Sequence, residues 1–118
     1  MESIKYGDIA VVDLNPTKDK EISKIRPCLV VSNNILNKKS PFLIVIPMTS
    51  STQKSISWHV IMKKSKSNKL KNDSKIIPEQ VRSISKKRAI KKLGSLEANY
   101  LSELEKKLAF ILNQKSFY

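Results

Sequence analysis

The sequence is poor in the residues on which several kinds of functional site depend. It has one cysteine, Cys28, and one histidine, His59, too few for a closed zinc site, which normally takes four protein ligands. A lone cysteine cannot form an internal disulfide and suits a reducing compartment. The two glycines, Gly7 and Gly94, exclude a glycine-rich phosphate loop and a dinucleotide fingerprint. We therefore expect neither a bound metal nor a cofactor.

Long apolar runs are also missing. No stretch approaches the ~18 apolar residues of a membrane span, and the start of the chain does not resemble a secretory signal. Together with the cysteine usage, this predicts a cytoplasmic protein without membrane contact. A length of 118 residues favours a single domain, residues 1–118, with one modest core.

Negative charge is scarce as well. The chain carries 23 Lys and Arg residues against 10 Asp and Glu, a formal net charge of +13. Such a balance indicates a polyanionic partner, either nucleic acid or an acidic protein. The lysines are densest in residues 63–75, with six lysines and one aspartate, and again in residues 86–92. Each segment is either a solvated, mobile surface or an arm that follows a phosphate backbone.

Most of the chain has the pattern of short β-strands. We expect strands at residues 9–14, 28–32, 42–46, 56–62, 74–77 and 81–84, with loops at 15–20 and 33–40. Trp58 alternates with Ile56 and Val60, which predicts a place in the core or in a dimer interface. Cys28 lies inside an apolar run and is expected to be an inert core residue.

The last quarter of the chain changes to a helical period. One face of the predicted amphipathic helix carries Leu101, Leu104, Leu108, Ile111 and Leu112. Ser95 is the predicted N-cap, and Glu97 falls in the first turn. Ser85 is expected to cap a short helical turn over residues 86–90. Strands followed by a terminal helix predict a mainly β, α+β fold: a small, strongly curved antiparallel sheet or barrel closed by a helix.

Five short motifs follow one another along the chain. They are Gly7-Asp8-Ile9, Asp13-Leu14-Asn15-Pro16-Thr17, Glu21 with Arg26-Pro27 and Ser32-Asn33, Pro47-Met48-Thr49-Ser50, and Glu79-Gln80-Val81-Arg82-Ser83-Ile84. In this order they resemble the MazF/PemK family of toxin–antitoxin endoribonucleases, over about residues 5–112. The resemblance implies an SH3-like antiparallel barrel of the CcdB/PemK type with a C-terminal helix, working as a homodimer. It also implies sequence-selective, metal-independent cleavage of single-stranded RNA, inhibited by a small acidic antitoxin protein.

The resemblance assigns catalytic positions to Arg26 and Thr49. An arginine stays protonated and offers a fork of donors, so it can clamp a phosphate and offset charge on a phosphorane. A threonine hydroxyl can donate to a phosphate oxygen. The implied reaction is attack by the ribose 2′-hydroxyl on the adjacent phosphorus, which needs no metal. Glu21 matches a family glutamate and is either the general base or a partner that pairs with Arg26 and orients it.

Further positions are expected to contact RNA. They are Thr17, Lys18, Lys20, Ser50, Ser51, Gln53, His59, Gln80 and Arg82. Gln80 can read a base edge and Arg82 can hold a phosphate, although both are equally compatible with solvated strand residues. His59 is either a structural residue or one that faces the RNA.

Two positions depart from the family pattern. Asp19 stands where the family usually has glycine two residues before Glu21, so we expect the loop there to differ in shape. Lys69-Leu70 stands where the family tends to have Gly-Leu or Gly-Phe. Two other functions stay open: a gyrase poison of the CcdB type, which cuts no RNA, and a basic nucleic-acid-binding module without activity. The combination of Arg26-Pro27 with Thr49 favours the nuclease.

Overall fold

Seven antiparallel strands and two α-helices make up the computed structural model, which describes residues 3–114. The strands are β1 (Asp8–Asp13), β2 (Ile25–Val30), β3 (Phe42–Thr49), β4 (Val60–Met62), β5 (Ser74–Ile76), β6 (Arg82–Ser85) and β7 (Ala89–Ser95). The helices are α1 (Asn34–Lys39) and α2 (Ala98–Ile111), with 3₁₀ turns at Pro78–Gln80 and Lys86–Arg88. The mainly β, α+β class is confirmed. Neither helix of the described part has the length and apolar character needed to cross a membrane.

The sheet bends around its long central strand, β3. The strand order is β4-β5-β3-β2-β1-β7, and β6 pairs with the first half of β3. One edge of β3 therefore bonds to β2, while the other bonds first to β6 and then to β5. Because two strands share that edge, the sheet curls into a shape that is roughly barrel-like. Within residues 3–114 no pairing of β4 with β7 closes it.

Alternation along the strands sorts the core into two clusters on opposite faces of the sheet. Leu29 and Ile46 belong to the first cluster, and Cys28 and Val45 belong to the second. All four side chains are fully buried. Helix α2 covers the first cluster through Leu104. Helix α2 thus packs on the first face of the sheet and contributes no residue to the cluster on the second.

Helix α2 confirms the predicted amphipathic helix but begins later than its predicted cap. Leu101 and Leu108 pack beside Leu104 on the first cluster. Ser95 still belongs to β7, where it pairs with β1, so the prediction of Ser95 as N-cap is wrong. Glu97 occupies the cap position instead of the first turn.

Three local expectations also need correction. Residues 33–40 were expected to form a loop, but they contain α1, whose N-cap Asn33 accepts a hydrogen bond from the Leu36 amide at 2.9 Å. The strand expected at 56–62 shrinks to β4, because Ile56 and His59 close a turn through a backbone bond of 2.9 Å. Trp58 lies in this turn, half-buried. Strand β7 was not expected, whereas Ser85 does cap the 3₁₀ turn that precedes it.

The lysine-rich segment 63–75 is fastened to the rest of the protein by hydrogen bonds, which disfavours the alternative of a mobile surface. Asn68 is fully buried, and its amide nitrogen donates to the Lys63 carbonyl at 2.9 Å and to Glu97 Oε1 at 3.1 Å. The Ser95 amide donates to the Ser67 carbonyl at 3.1 Å. Gly94 permits this approach, because a Cβ there would lie 2.6 Å from the Ser67 carbonyl oxygen.

Candidate active site

Strands β2 and β3 bring Arg26 and Thr49 together. Cys28 pairs with Pro47 across these antiparallel strands, and the same register continued by two residues places Arg26 opposite Thr49. Directly opposite residues in an antiparallel pair project to the same face. Both residues line one cavity of about 480 Å³. The two positions that the motifs single out therefore share one site.

The guanidinium of Arg26 is held by the chain itself. Its Nε donates to the Ser23 carbonyl at 2.7 Å, and the side chain is half-buried. Pro27 follows within β2, so Arg26 has the extended conformation expected of a residue before proline. Because the bond uses Nε, both terminal nitrogens of the fork are left to face an anion.

Thr49 is the last residue of β3 and lines the same cavity. Its hydroxyl oxygen accepts a hydrogen bond from the Ser51 amide at 3.3 Å, so the hydroxyl hydrogen is left to be donated to a ligand. On the other side Thr49 pairs with Lys75 of β5. Lys75 is buried, and its Nζ donates to the Lys54 carbonyl at 2.8 Å. This bond ties the β3–β4 loop, residues 50–59, to the strand beside Thr49.

The cavity is a cationic site with an apolar floor. Its floor includes the buried residues Met48 and Leu70. The basic residues that line it are Lys24, Arg26, Lys69, Lys71 and Lys91. None of the lining residues is acidic, so nothing in the lining neutralises the five cations. A cleft with charge of one sign and low-dielectric walls concentrates counter-ions, which makes this one a site for an anionic ligand.

Glu21 lies outside this cavity, on the β1–β2 loop. Its carboxylate accepts a hydrogen bond from the Lys18 amide at 2.8 Å, and its own amide donates to the Lys18 carbonyl at 3.0 Å. No ion pair joins it to Arg26 in the part of the chain that is described. The structure therefore gives no support to a pairing of Glu21 with Arg26, whose guanidinium is oriented by the Ser23 carbonyl.

Asp19 takes a left-handed backbone conformation in the same loop, with φ 50°. Glycine enters this region most easily, and a residue with a Cβ does so at a conformational cost. Asp19 thus provides the turn that a glycine would provide, which offers no support for the expected change in loop shape.

Gln80 holds the β1–β2 loop on both sides of Glu21. Its Oε1 accepts a hydrogen bond from the Ile22 amide at 3.2 Å, and its Nε2 donates to the Lys20 carbonyl at 3.4 Å. Both ends of the amide are therefore engaged with backbone. This arrangement makes Gln80 a positioning residue for the loop in the structure.

Two arginines hold the end of β1, beside the same loop. Arg82 Nη1 donates to the Leu14 carbonyl at 3.2 Å, and Arg88 Nη1 donates to the Asp13 carbonyl at 3.2 Å.

Burial raises the pKa of Cys28 to about 12, although the positive charges of Arg82 and Arg26 act in the opposite direction. The thiol is therefore neutral near pH 7, as expected of an inert core residue.

His59 is buried and bonded at both ring nitrogens. Nδ1 accepts a hydrogen bond from the Ile56 amide at 3.2 Å, which assigns the ring proton to Nε2, 3.3 Å from Glu79 Oε2. Its carbonyl accepts a bond of 2.6 Å from Lys107 of α2. These contacts favour the structural interpretation of His59 over an RNA-facing one.

The remaining predicted RNA contacts lie on two loops. Thr17, Lys18 and Lys20 are on the β1–β2 loop, and Ser50, Ser51 and Gln53 are on the β3–β4 loop. Of all the predicted RNA-binding residues, only Ser50 lines the cavity.

Lys24 and Lys91, by contrast, line the cavity but were not predicted to do so individually. Lys91 pairs with Val11 of β1, a contact between residues far apart in sequence. The basic pattern of residues 86–92 drew attention to Lys91 without placing it. Lys24 stands only two residues before Arg26, and that closeness was the available signal.

Comparison with known proteins identifies a family from the sequence. Residues 5–112 match the model of the PemK-like, MazF-like toxins of type II toxin–antitoxin systems. The curated Endoribonuclease MazF of Staphylococcus epidermidis is 36% identical over 115 residues, which cover 97% of this chain and 95% of that protein.

Solved structures share the fold at lower identity. MazF from Deinococcus radiodurans superposes with a TM-score of 0.85 at 22% identity, over 97% of this chain and 100% of that one. An endoribonuclease in complex with its cognate antitoxin, from a mycobacterial species, gives 0.73 at 17% identity, over 98% and 99%. The match over residues 5–112 and the relative at 36% identity show the family: this chain belongs to the PemK-like, MazF-like toxins of type II toxin–antitoxin systems.

Proposed function

We propose that this toxin is an endoribonuclease that cleaves single-stranded RNA, with sequence selectivity and without a metal ion, at the cavity of Arg26 and Thr49. The observation that carries the proposal is the lining of that cavity. It combines five basic side chains, no acidic one and a threonine hydroxyl at a strand end. The 36% identity to an endoribonuclease supports the same activity, and family membership favours it over a gyrase poison or an inactive binding module.

The reaction begins with the substrate's own nucleophile. The ribose 2′-hydroxyl attacks the adjacent phosphorus while the bond from phosphorus to the 5′ oxygen breaks. The products are a 2′,3′-cyclic phosphate and a 5′-hydroxyl. Negative charge grows on the non-bridging oxygens in the transition state, where the terminal nitrogens of Arg26 and the Thr49 hydroxyl donate hydrogen bonds. Because the Ser23 carbonyl already orients Arg26, little reorganisation is needed during the reaction.

Two proton transfers accompany the attack, one from the 2′-hydroxyl and one to the 5′ oxygen. We assign the first to Glu21, whose exposed carboxylate lies on the loop that leads into β2 and Arg26. A catalytic hydrogen bond is often long or missing without substrate, so the place of Glu21 outside the cavity lining is compatible with this role. We assign the second to water, with the protonated Arg26 stabilising the charge that develops on the leaving 5′ oxygen.

Replacement of Arg26 tests the proposal. Arg26→Ala should lower kcat on the order of 100–1,000-fold, as expected when one transition-state donor is lost. Arg26→Lys keeps the charge but loses the fork, so it should also be impaired. Lys38→Ala is a matched control, because Lys38 is an exposed cation on α1. Normal cleavage by a folded Arg26→Ala variant would contradict the assignment.

The substrate supplies a second test. A mixed-sequence RNA should be cut in the presence of EDTA, and the mapped site should resist cleavage after a single 2′-deoxy substitution. Equal cleavage of the deoxy substrate would exclude the 2′-hydroxyl as nucleophile. Binding without any cleavage would instead favour the inactive module.

Two partners complete the proposal: a small acidic antitoxin and a second copy of the chain, both in the cytoplasm. The net charge of +13 favours an acidic protein, and a structural neighbour was solved with its cognate antitoxin. Most of the apolar face of α2 does not argue for a dimer, because Leu101, Leu104 and Leu108 pack on the chain's own core. Exposed apolar side chains on strands, namely Ile25, Phe42, Ile61 and Ile90, support one. Sedimentation at micromolar concentration should show twice the 13.4 kDa chain mass.

A further inference from the structure

The six lysines of segment 63–75 are not equivalent. Only Lys69 and Lys71 line the cavity of Arg26 and Thr49. Lys75 is buried, with its ammonium bonded to the Lys54 carbonyl. Lys63, Lys64 and Lys66 are exposed and outside the cavity lining. Interaction with a ligand in the cavity is therefore confined to two of the six.

Lys69 holds its place in an unfavourable backbone conformation. Its φ is 56°, in the left-handed region that glycine adopts without strain and other residues adopt at a cost. The preceding residue, Asn68, accepts hydrogen bonds through Oδ1 from the Ser65 amide at 3.0 Å and the Leu70 amide at 3.1 Å. This anchor fixes the backbone on both sides of Lys69. A lysine is thus kept, against local preference, where its side chain reaches the cavity.

Lys69 and Lys71 face the cavity together with cations from other elements. Lys24 and Arg26 enter from the start of β2, and Lys91 enters from β7. The segment that carries Lys69 is attached to β7 through the hydrogen bond from the Ser95 amide to the Ser67 carbonyl. Since the attachment is made by buried and backbone groups, the two lysines are presented without ordering a loop on binding, which lowers the entropic cost of binding.

We propose that Lys69 and Lys71 form a fixed cationic wall that binds RNA phosphates flanking the one that is cleaved. The proposal rests on the proposed function, because it names a subsite for the same substrate. RNA is favoured over an acidic peptide because the wall lines the same cavity as Arg26 and the Thr49 hydroxyl, which suits phosphate oxygens on either side of one reacting group.

The test uses a 2′-O-methyl, mixed-sequence oligoribonucleotide, which binds but has no nucleophile. Affinity is measured by fluorescence anisotropy over a tenfold range of salt. The variant is Lys69→Gly with Lys71→Ser, and the matched control is Lys38→Ser with Lys39→Ser on α1, which precedes the opposite end of β3. Each neutralised phosphate contributes about 0.7 to the salt slope for a single strand.

The wall variant should lose two contacts, which flattens the slope by about 1.4. Over tenfold salt, its affinity should then fall about 25-fold less than that of the unmodified protein, while the control keeps the original slope. The fall in kcat/KM for RNA should exceed the fall in kcat, because both lysines bind substrate away from the reacting phosphorus. The melting temperature should stay the same or rise, because glycine relieves the strain at position 69.

Several results would contradict the proposal that Lys69 and Lys71 form a cationic wall. One is an unchanged salt slope, and another is an equal change in the control. A third is found by measuring the binding of polyglutamate in the same way. If the variant loses affinity for polyglutamate and not for the oligoribonucleotide, the surface is a site for an acidic protein. These outcomes are separable from failure of the proposed function, in which the oligoribonucleotide still reports the wall although no RNA is cleaved.

Discussion

Replacing Asn68 by alanine should release the anchor of segment 63–75. The Asn68 side chain is fully buried and makes four hydrogen bonds. It accepts from the amides of Ser65 and Leu70, and it donates to the Lys63 carbonyl and to the Glu97 carboxylate. Alanine would leave these four groups without their hydrogen-bond partner. Water can reach them only if the segment separates from the rest of the protein.

The magnitude follows from those four bonds. Each contributes on the order of 0.5–1.5 kcal/mol net, and a donor left buried without a partner costs about 1–3 kcal/mol. Partial relaxation lets some partners reach water, so we expect the free energy of unfolding to fall by about 2–4 kcal/mol. That is a large share of the 5–15 kcal/mol by which most domains are stable.

Urea unfolding measures this loss, with Asn72→Ala as the control. Asn72 is an exposed asparagine of the same segment, so its replacement should cost less than about 0.5 kcal/mol. The Asn68 variant should also show a raised KM for RNA, because Lys69 and Lys71 lose their fixed position. A loss below about 1 kcal/mol, or a loss equal to that of the control, would refute the anchor.

Three further predictions concern residues that hold the site. Gly94→Ala should lower the free energy of unfolding by at least about 2 kcal/mol in urea, because the new Cβ would lie 2.6 Å from a backbone oxygen of Ser67. Lys75→Met should speed tryptic cleavage after Lys54, measured by limited proteolysis against a Lys63→Met control, because it removes the bond to the Lys54 carbonyl. Gln80→Ala should lower kcat/KM for RNA about tenfold, a loss within the range of mispositioned catalytic groups; an unchanged kcat/KM would show that its bonds to the loop do not matter.

The pairing of Arg26 with Thr49 was the part of the site most open to prediction. Arg26 precedes one apolar run and Thr49 follows the next, so antiparallel pairing of the two strands places them side by side. Helix α1 was not predicted, because its six residues are too few to show a helical period. Its signal was the capping side chain of Asn33.

The burial of Asn68 had no such signal. Its neighbours are lysines and serines, a pattern that indicates solvent exposure. Burial there depends on Glu97 and on the missing side chain of Gly94, both far along the sequence. The place of Lys91 in the cavity lining could not be predicted for the same reason, since its partner Val11 lies near the other end of the chain. Contacts between distant residues decide which of many lysines reach the cavity.

The buried sulfur of Cys28 makes the protein its own probe of local opening. It is the single cysteine, fully buried between β1 and β3, and its pKa is raised to about 12. Alkylating reagents attack the thiolate, so modification must wait until β2 separates from a neighbour. The alkylation rate therefore reports how often the strand that carries Arg26 comes loose. Any ligand that binds only the closed form should slow that rate in proportion to its occupancy, which gives a measure of binding that needs neither cleavage nor a label on the ligand.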